Sequence, residues 1–265
     1  MAAAAARVMP SRYAGIFLSH GAPTLPLDDH PAREFLGALG RRLPRPRAIV
    51  VVSPHWPTRS LALKAPTRFE TWHDFQGFPE ALYRLHYRPH GDAVLRDRAA
   101  LLLQEAGIGV DISAVDARLD HGAWVPLMLM YPQADVPLVQ LSMISDTPQR
   151  YREFGRALRP LTDDGVLLVG TGGAVHNLGE VVFADGAPVP AWAREFDQWL
   201  GERIAAGDWD ALCDYRRRAP QAERAHPTED HFLPLFFASG AGDRAERLHH
   251  SFSHGSLGMA AYGFS

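Results

Sequence analysis

The sequence predicts a single-domain α/β/α sandwich with a largely parallel, mixed central sheet. Short runs of branched aliphatic residues recur along the chain, and helical patterns separate them. A continuous aliphatic run is typical of a strand that is buried on both faces of a sheet. Alternation of such strands with helices favours a parallel sheet with helices on both sides. The 265 residues, 46% of them hydrophobic, suffice for one large core.

Each predicted element rests on its own run of residues. The predicted strands are the aliphatic runs at residues 14–19, 48–53, 136–142 and 165–170. Helical patterns lie at about residues 31–41, from residue 92, after Trp124, from residue 147, and at about 190–205 and 208–217. Another helix is predicted to begin near Thr228, whose hydroxyl suits an N-cap. Residues 245–265 alternate like strands and predict an antiparallel edge pair that closes the sheet.

The domain prediction is one catalytic domain over residues 1–265, in which residues 1–13 form a flexible N-terminal extension. The opening stretch MAAAAARVMP is apolar but short, and it lacks the cationic leader and longer apolar centre of a secretory signal. No apolar stretch reaches the length that a membrane-spanning helix needs. We therefore expect no membrane association.

Charge and cysteine content narrow the function classes. Lys and Arg number 27 against 30 Asp and Glu, without a basic stripe, so nucleic acid is not an expected partner. The single cysteine, Cys213, excludes disulfides within the chain, thiolate zinc sites and iron–sulfur clusters. A reducing cytoplasm is the expected compartment. A homo-oligomer is left open.

Histidines follow several of the predicted strands. His20 comes just past the first strand, His55 just past the second, and His176 a few residues past a later one. Ligands of open α/β sheets bind outside the carboxyl ends of the strands, so these three rings can meet. His231 is expected in the first turn of the helix after Thr228, and His121 in a loop that enters another helix.

A cluster of imidazoles without thiolates favours zinc or non-haem iron, and positions left open on the metal would indicate catalysis. Any one histidine taken alone is more often a surface or hydrogen-bonded core residue, so the metal hypothesis depends on the joint pattern. Asp120, before His121, is equally suited to capping a helix and to orienting an imidazole. Five histidines in polar or loop contexts are left out of the predicted site: His30, His86, His90, His249 and His250.

Long motifs then suggest a family. FLSHGAPTLPLDD, RPRAIVVVSPHW, HDFQGFPEALYRLHY, DHGAWVPLMLMYPQADVPLVQLSM, LLVGTGGAVHNL and HPTEDHFLPLFFASGA occur in this order from about residue 15 to the C-terminus. Together they resemble the class III extradiol ring-opening dioxygenases of the LigB superfamily, in the DOPA 4,5-dioxygenase branch. The resemblance implies an α/β fold and a mononuclear metal site that holds Fe(II), with Zn(II) as the other metal recorded in this branch.

The same resemblance implies roles for individual residues. His20, His55 and His231 match three metal ligands, and Glu229 and Asp230 remain substitutes for the third. His176 matches the catalytic base or an additional ligand, and His121 matches a second acid/base group near the oxygen site. The residues predicted to line the substrate pocket are His73, Asp74, Phe75 and Tyr83.

The implied reaction is the opening of a catechol-type ring by O2, with DOPA-like and caffeate-like diols as the first candidate substrates. A metal lowers the pKa of bound hydroxyls, so a neutral imidazole can accept their protons. Zinc lacks redox chemistry, and a zinc-loaded preparation should therefore be inactive toward O2. The alternatives are a zinc hydrolase, in which the same histidines activate water, and a non-catalytic metal-binding relative.

Overall fold

The structure is a computed structural model that describes residues 13–184 and 186–265. Its strands are β1 Gly15–Ser19, β2 Ala48–Pro57, β3 Leu63–Lys64, β4 Glu70–Thr71, β5 Arg118–Leu119, β6 Leu138–Met143, β7 Val166–Gly172, β8 Ala245–His249, β9 Phe252–Ser253, β10 Leu257–Gly258 and β11 Ala261–Phe264. Its α-helices are α1 Pro31–Arg42, α2 Glu80–Tyr83, α3 Ala93–Glu105, α4 His121–Met130, α5 Pro148–Leu158, α6 Ala191–Ala206, α7 Trp209–Cys213, α8 Tyr215–Arg218, α9 Ala222–Ala225 and α10 Leu233–Ser239. Two 3₁₀ helices cover Arg159–Asp164 and Leu178–Glu180.

A seven-stranded sheet in the order β3-β6-β2-β7-β1-β11-β8 forms the centre of the molecule. The four strands β6, β2, β7 and β1 are parallel. At one edge β3 runs antiparallel to β6, and at the other β11 and β8 form the predicted antiparallel pair. The predicted α/β class and largely parallel sheet are therefore confirmed.

Helices pack on both faces of this sheet. Successive residues of a strand point to opposite faces, so each central strand contributes side chains to two hydrophobic cores. Ile49, Val51 and Val169 belong to the core shared with α1 and α4. Val50 and Val52 lie in the other core, with α3, α5, α6 and α10. Both cores meet the same four parallel strands, so the carboxyl ends of β1, β2 and β7 are held at one edge of the sandwich.

Two predicted elements begin or end elsewhere in the structure. Strand β2 continues through His55 to Pro57, because an irregularity after Val52 lets Pro57 pair with Met143. No helix begins at Thr228: the carbonyl of Glu229 holds a turn, and α10 begins only at Leu233.

The other differences concern helix ends. The predicted helix 208–217 is divided at Asp214 into α7 and α8, and α4 begins already at His121. Residues 1–12 of the predicted N-terminal extension lie outside the described residues, and its last residue, Tyr13, is buried beside Gly263. Among the described helices, none is long and apolar enough to cross a membrane.

Candidate active site

Three histidines converge at the carboxyl edge of the sheet. His20 directly follows β1, and its backbone N–H donates to the carbonyl of Gly172 at the end of β7 (2.9 Å). The carbonyl of His231 accepts from Gly173 N–H (2.9 Å), so the turn before α10 is attached to the same strand end. His55 comes from the end of β2. The sheet thus brings together residues that are up to 211 positions apart in the sequence.

The imidazole rings form one compact cluster. The His20 ring centroid lies 5.2 Å from that of His55 and 5.3 Å from that of His231. His55 lies 4.0 Å from His121 between ring centroids, and its Nε2 is 3.2 Å from Nε2 of His231. His176 joins from the side, where its ring stacks on His231 at 3.6 Å with an interplanar angle of 4°.

His121 is placed by two aspartates with separate tasks. The Asp120 carboxylate caps α4 by accepting from Ala123 N–H (3.2 Å), and it also accepts from Ser53 and Gln140. Asp74 accepts from the backbone N–H of His121 (2.9 Å) and from its ring Nδ1–H (3.0 Å). Asp120 is therefore the helix cap, and the imidazole is oriented by Asp74.

Hydrogen bonds fix the tautomer of three rings. Nδ1 of His20 lies 2.9 Å from the carbonyl of Gly21, and Nδ1 of His231 lies 2.6 Å from Asp230. Carbonyl and carboxylate oxygens only accept, so each Nδ1 must carry the proton, as in His121. In a neutral ring Nε2 then bears a lone pair, which is the arrangement found in metal-binding histidines.

The free lone pairs fit a metal ion. Nε2 of His20 is buried and has no hydrogen-bond partner in the described part of the chain. Two nitrogen ligands of one tetrahedral ion, with bonds of about 2.0–2.1 Å, stand about 3.3 Å apart, close to the 3.2 Å between His55 and His231. One nitrogen from each of His20, His55 and His121 also falls within 4.8 Å of the others. The donor set is all nitrogen, as zinc and non-haem iron accept.

Burial keeps these imidazoles neutral. Desolvation lowers the pKa of His55 to about 4 and that of His231 to about 3. The pKa of His20 is well below its ordinary value for the same reason. Burial also lowers the pKa of His176 to about 4. At neutral pH these four rings are therefore ready to bind a cation or accept a proton without first losing one.

Comparison with known proteins decides the family. The family model described as the catalytic LigB subunit of aromatic ring-opening dioxygenase matches residues 14–265. The chain belongs to the LigB family of aromatic ring-opening dioxygenases. This result confirms the predicted family and the prediction of an oxidoreductase enzyme.

Relatives of this LigB-family chain agree with that assignment. A protein named 4,5-DOPA dioxygenase extradiol from Beta vulgaris is 40% identical over 260 residues, which cover 94% of this chain and 95% of that protein. A protein of the same name from Escherichia coli K12 is 38% identical over 245 residues, which cover 90% of this chain and 88% of that protein. A crystal structure of an uncharacterized Escherichia coli K12 protein superimposes with a TM-score of 0.77 at 33% identity, covering 96% of this chain and 100% of that one.

A cavity of about 290 Å³ opens beside the LigB-family histidine cluster. His20, His55, His121, His176 and His231 form one side of it. Seven apolar residues also line the cavity and are here called the apolar wall: Ala22, Pro23, Phe78, Leu178, Val181, Phe183 and Leu257. Gly21 and His254 are the remaining lining residues of the cavity among those described. The cavity thus joins a nitrogen-rich floor to a hydrophobic side that suits an aromatic ligand.

The four residues predicted to bind substrate lie outside the lining of this cavity. Both carboxylate oxygens of Asp74 are occupied by His121, and the His73 ring is 3.1 Å from the carbonyl of Leu85. Phe75 and Tyr83 pack against His73, with ring centroids 5.7 and 5.6 Å away. The structure therefore gives this segment a supporting position behind His121.

Two groups of site residues were missed by the sequence reasoning. Asp230 was considered only as a metal ligand, yet its carboxylate orients His231, while Glu229 is directed to Tyr215 and Arg216. The apolar wall was missed as well, although the adjacent apolar residues VVF after the VHNLGE stretch were a signal.

Proposed function

We propose that this chain is an extradiol dioxygenase that opens the ring of a catechol with a DOPA-like or caffeate-like side chain. The observation that carries the proposal is the set of imidazole lone pairs directed at one point beside a mostly apolar cavity. Membership of the LigB family supplies the reaction class. The names of the Beta vulgaris and Escherichia coli relatives support a DOPA-like diol.

His20, His55 and His231 are the proposed metal ligands. The 3.2 Å separation between Nε2 of His55 and Nε2 of His231 supports a shared ion, and the unpartnered Nε2 of His20 adds the third donor. Fe(II) is the proposed metal, since when bound it would supply the electron for O2 chemistry that Zn(II) cannot supply. A metal held by these three nitrogens would keep coordination positions open, as a catalytic site requires and a structural site does not.

His176 is the proposed base, although its stacking on His231 also suits an additional ligand. It lines the cavity, and burial lowers its pKa to about 4, so Nε2 or Nδ1 is free to take a proton from a substrate hydroxyl at neutral pH. His121 is the proposed second acid/base group. Its Nδ1–H donates to Asp74, which holds Nε2 toward the cluster and stabilises the ring when it becomes protonated.

Metal content of alanine variants tests the ligand set. His20→Ala, His55→Ala and His231→Ala should each lose most of the bound Fe(II) after anaerobic reconstitution, measured by elemental analysis. His121→Ala and His176→Ala should keep it and lose turnover. The opposite result, in which His121→Ala loses iron and His231→Ala retains it, would replace the proposed set by His20, His55 and His121, whose nitrogens also lie close together.

Four further properties remain proposals. Residues 14–265 are proposed to form one catalytic domain, because both hydrophobic cores share the central sheet. An aromatic diol and O2 are the proposed partners. A cytoplasmic location stays a prediction from the single cysteine, and a homo-oligomer remains an open prediction.

A further inference from the structure

The loop that carries His176, residues 173–177, is bonded to a segment that is distant in sequence, residues 224–226, here called the clamp. Three hydrogen bonds join loop and clamp, and each uses a different clamp residue: His176 N–H to the Ala225 carbonyl (2.9 Å), the His226 ring to the Ala174 carbonyl (3.0 Å) and the Asn177 amide to the Arg224 carbonyl (2.7 Å). A carbonyl only accepts, so Nε2 of His226 carries the donated proton. The loop is thus held before, at and after His176.

His176 depends on its backbone for its position. Its ring stacks on His231 at 3.6 Å, and no other residue within 13–184 and 186–265 hydrogen-bonds to it. His121 is different, because Asp74 accepts its ring proton and orients it. Without such a partner, the His176 ring is placed by the loop and by the stacking contact alone.

The imidazole of His226 does not suit the core that surrounds it. The side chain is fully buried among Phe196, Tyr215 and Phe232, whose ring centroids lie 5.2, 6.2 and 4.5 Å away. Its Nδ1 has no hydrogen-bond partner in the described part of the chain. A buried polar atom without a partner lowers stability, and a phenyl ring would fill about the same space without that loss. What the imidazole adds is its hydrogen bond to Ala174.

The clamp is held in place by bonds that do not involve the loop. The backbone N–H of His226 donates to the Ala222 carbonyl (3.0 Å), and the His226 carbonyl accepts from the Arg216 guanidinium (2.6 Å). On the other side of the loop, Ala174 N–H donates to the Ser19 hydroxyl at the end of β1 (3.0 Å). The loop therefore lies between the edge of the sheet and a separately fixed support.

We propose that the clamp positions the His176 ring for proton transfer, with His226 as the positioning residue. Loss of the His226 donor frees the Ala174 carbonyl, and the loop can then carry the His176 ring away from its stacking position on His231. His226 acts only through the loop, since it is not among the residues that line the cavity. The inference rests on the proposed dioxygenase function, in which His176 is the base.

Two variants of His226 separate the hydrogen bond from the packing. His226→Phe keeps an aromatic ring in the core and removes the donor, whereas His226→Gln keeps an N–H donor near the position of Nε2. In the iron-loaded protein, kcat for a catechol should fall about five- to tenfold in His226→Phe and stay within about twofold of wild type in His226→Gln. KM should stay within about twofold in both, because the cavity lining is unchanged. A wild-type kcat in His226→Phe, or an equal loss in both variants, would overturn the proposal.

Phe196→Leu is the matched control for a general loss of packing. Phe196 packs against the His226 ring and forms none of the three bonds between loop and clamp. Its replacement should lower the melting temperature and leave kcat within about twofold of wild type. A loss of kcat as large as that in His226→Phe would show that His226 only supports the core, and would overturn its positioning role.

Amide hydrogen exchange gives a readout that does not depend on turnover. The amides of residues 174–177 should exchange at least about tenfold faster in His226→Phe than in wild type, and at the wild-type rate in His226→Gln. Unchanged exchange in His226→Phe would overturn the clamp even where kcat falls. No turnover of any catechol by the wild type would overturn the dioxygenase function and the role of His176 as its base, while the exchange rates still decide whether His226 holds the loop.

Discussion

Replacing Asp74 by asparagine removes the charge that orients His121 and leaves the shape of the site almost unchanged. In the structure one oxygen of Asp74 accepts from the His121 backbone N–H and the other from ring Nδ1–H. Burial alone would raise the pKa of the Asp74 carboxyl, but the hydrogen bonds from His121 lower it below its ordinary value. Asp74 is therefore ionised at neutral pH, and both bonds are charge-assisted.

The amide of Asp74→Asn can satisfy only one of these two bonds. If its oxygen keeps the backbone N–H, its NH2 group faces Nδ1 of His121 and forces the ring proton to Nε2. If the amide turns over, a buried backbone N–H is left without an acceptor. Either arrangement loses about 1.5–3 kcal/mol, the usual contribution of a hydrogen bond to a charged group. The corresponding loss in kcat/KM is about 10- to 150-fold.

The loss in kcat/KM is measured from initial rates of O2 uptake over a range of catechol concentrations that extends to saturation. Iron content should be determined in the same samples, because His121 is proposed to move protons and should not be needed to hold the metal. Asp97→Asn is the matched control, since Asp97 forms an exposed ion pair with Arg96 on α3. A kcat/KM within twofold of wild type for Asp74→Asn would refute the reasoning about His121.

Two further predictions concern the scaffold. A Cβ on Gly172 would lie 2.1 Å from the carbonyl oxygen of His231. Gly172→Ala should therefore lower the free energy of unfolding by about 1–3 kcal/mol in urea titrations and reduce iron content. Gly109→Ala is the control, because open space surrounds Gly109 and neither quantity should change. Equal free energies of unfolding for the two variants would contradict the close approach of Gly172 to His231. Burial lowers the pKa of His226 to about 3, so this histidine stays neutral in the folded protein at about pH 5. In the unfolded chain it binds a proton as the pH falls below about 6.5, which favours unfolding. Between about pH 7 and pH 5 the free energy of unfolding of the wild type should therefore fall by about 2 kcal/mol more than that of His226→Gln. Equal losses of unfolding free energy in the two proteins would contradict a neutral buried His226.

The parallel sheet and the meeting of the histidines were predictable because they follow from local patterns and one general rule. Aliphatic runs identified β1, β2, β6 and β7, and ligand crevices of α/β sheets lie at the carboxyl ends of such strands. His20 lies just past its strand, as predicted. His55 is instead inside β2, since the pairing of Pro57 with Met143 depends on a neighbouring strand that is distant in sequence.

The supporting residues were harder to predict because their partners come from remote segments. Asp74 reaches His121 across 47 positions, so its role depends on how the segment before α2 packs against α4. Thr228 has the residue type of a helix cap, but the turn at Glu229 delays α10 until Leu233. His254 gave no sequence signal, since its position beside Phe183 depends on the turn between β9 and β10.

The measurement that tests the central claim most directly is O2 uptake by metal-free protein reconstituted anaerobically with Fe(II) or Zn(II) and then given a catechol. Uptake with iron alone, matched mole for mole by a coloured ring-opened product, is the predicted result. Zinc-loaded protein should consume no O2, since zinc has no redox chemistry. Stoichiometric iron with no uptake for any catechol, or hydrolysis of an ester or amide by the zinc form, would contradict the assignment as an extradiol dioxygenase.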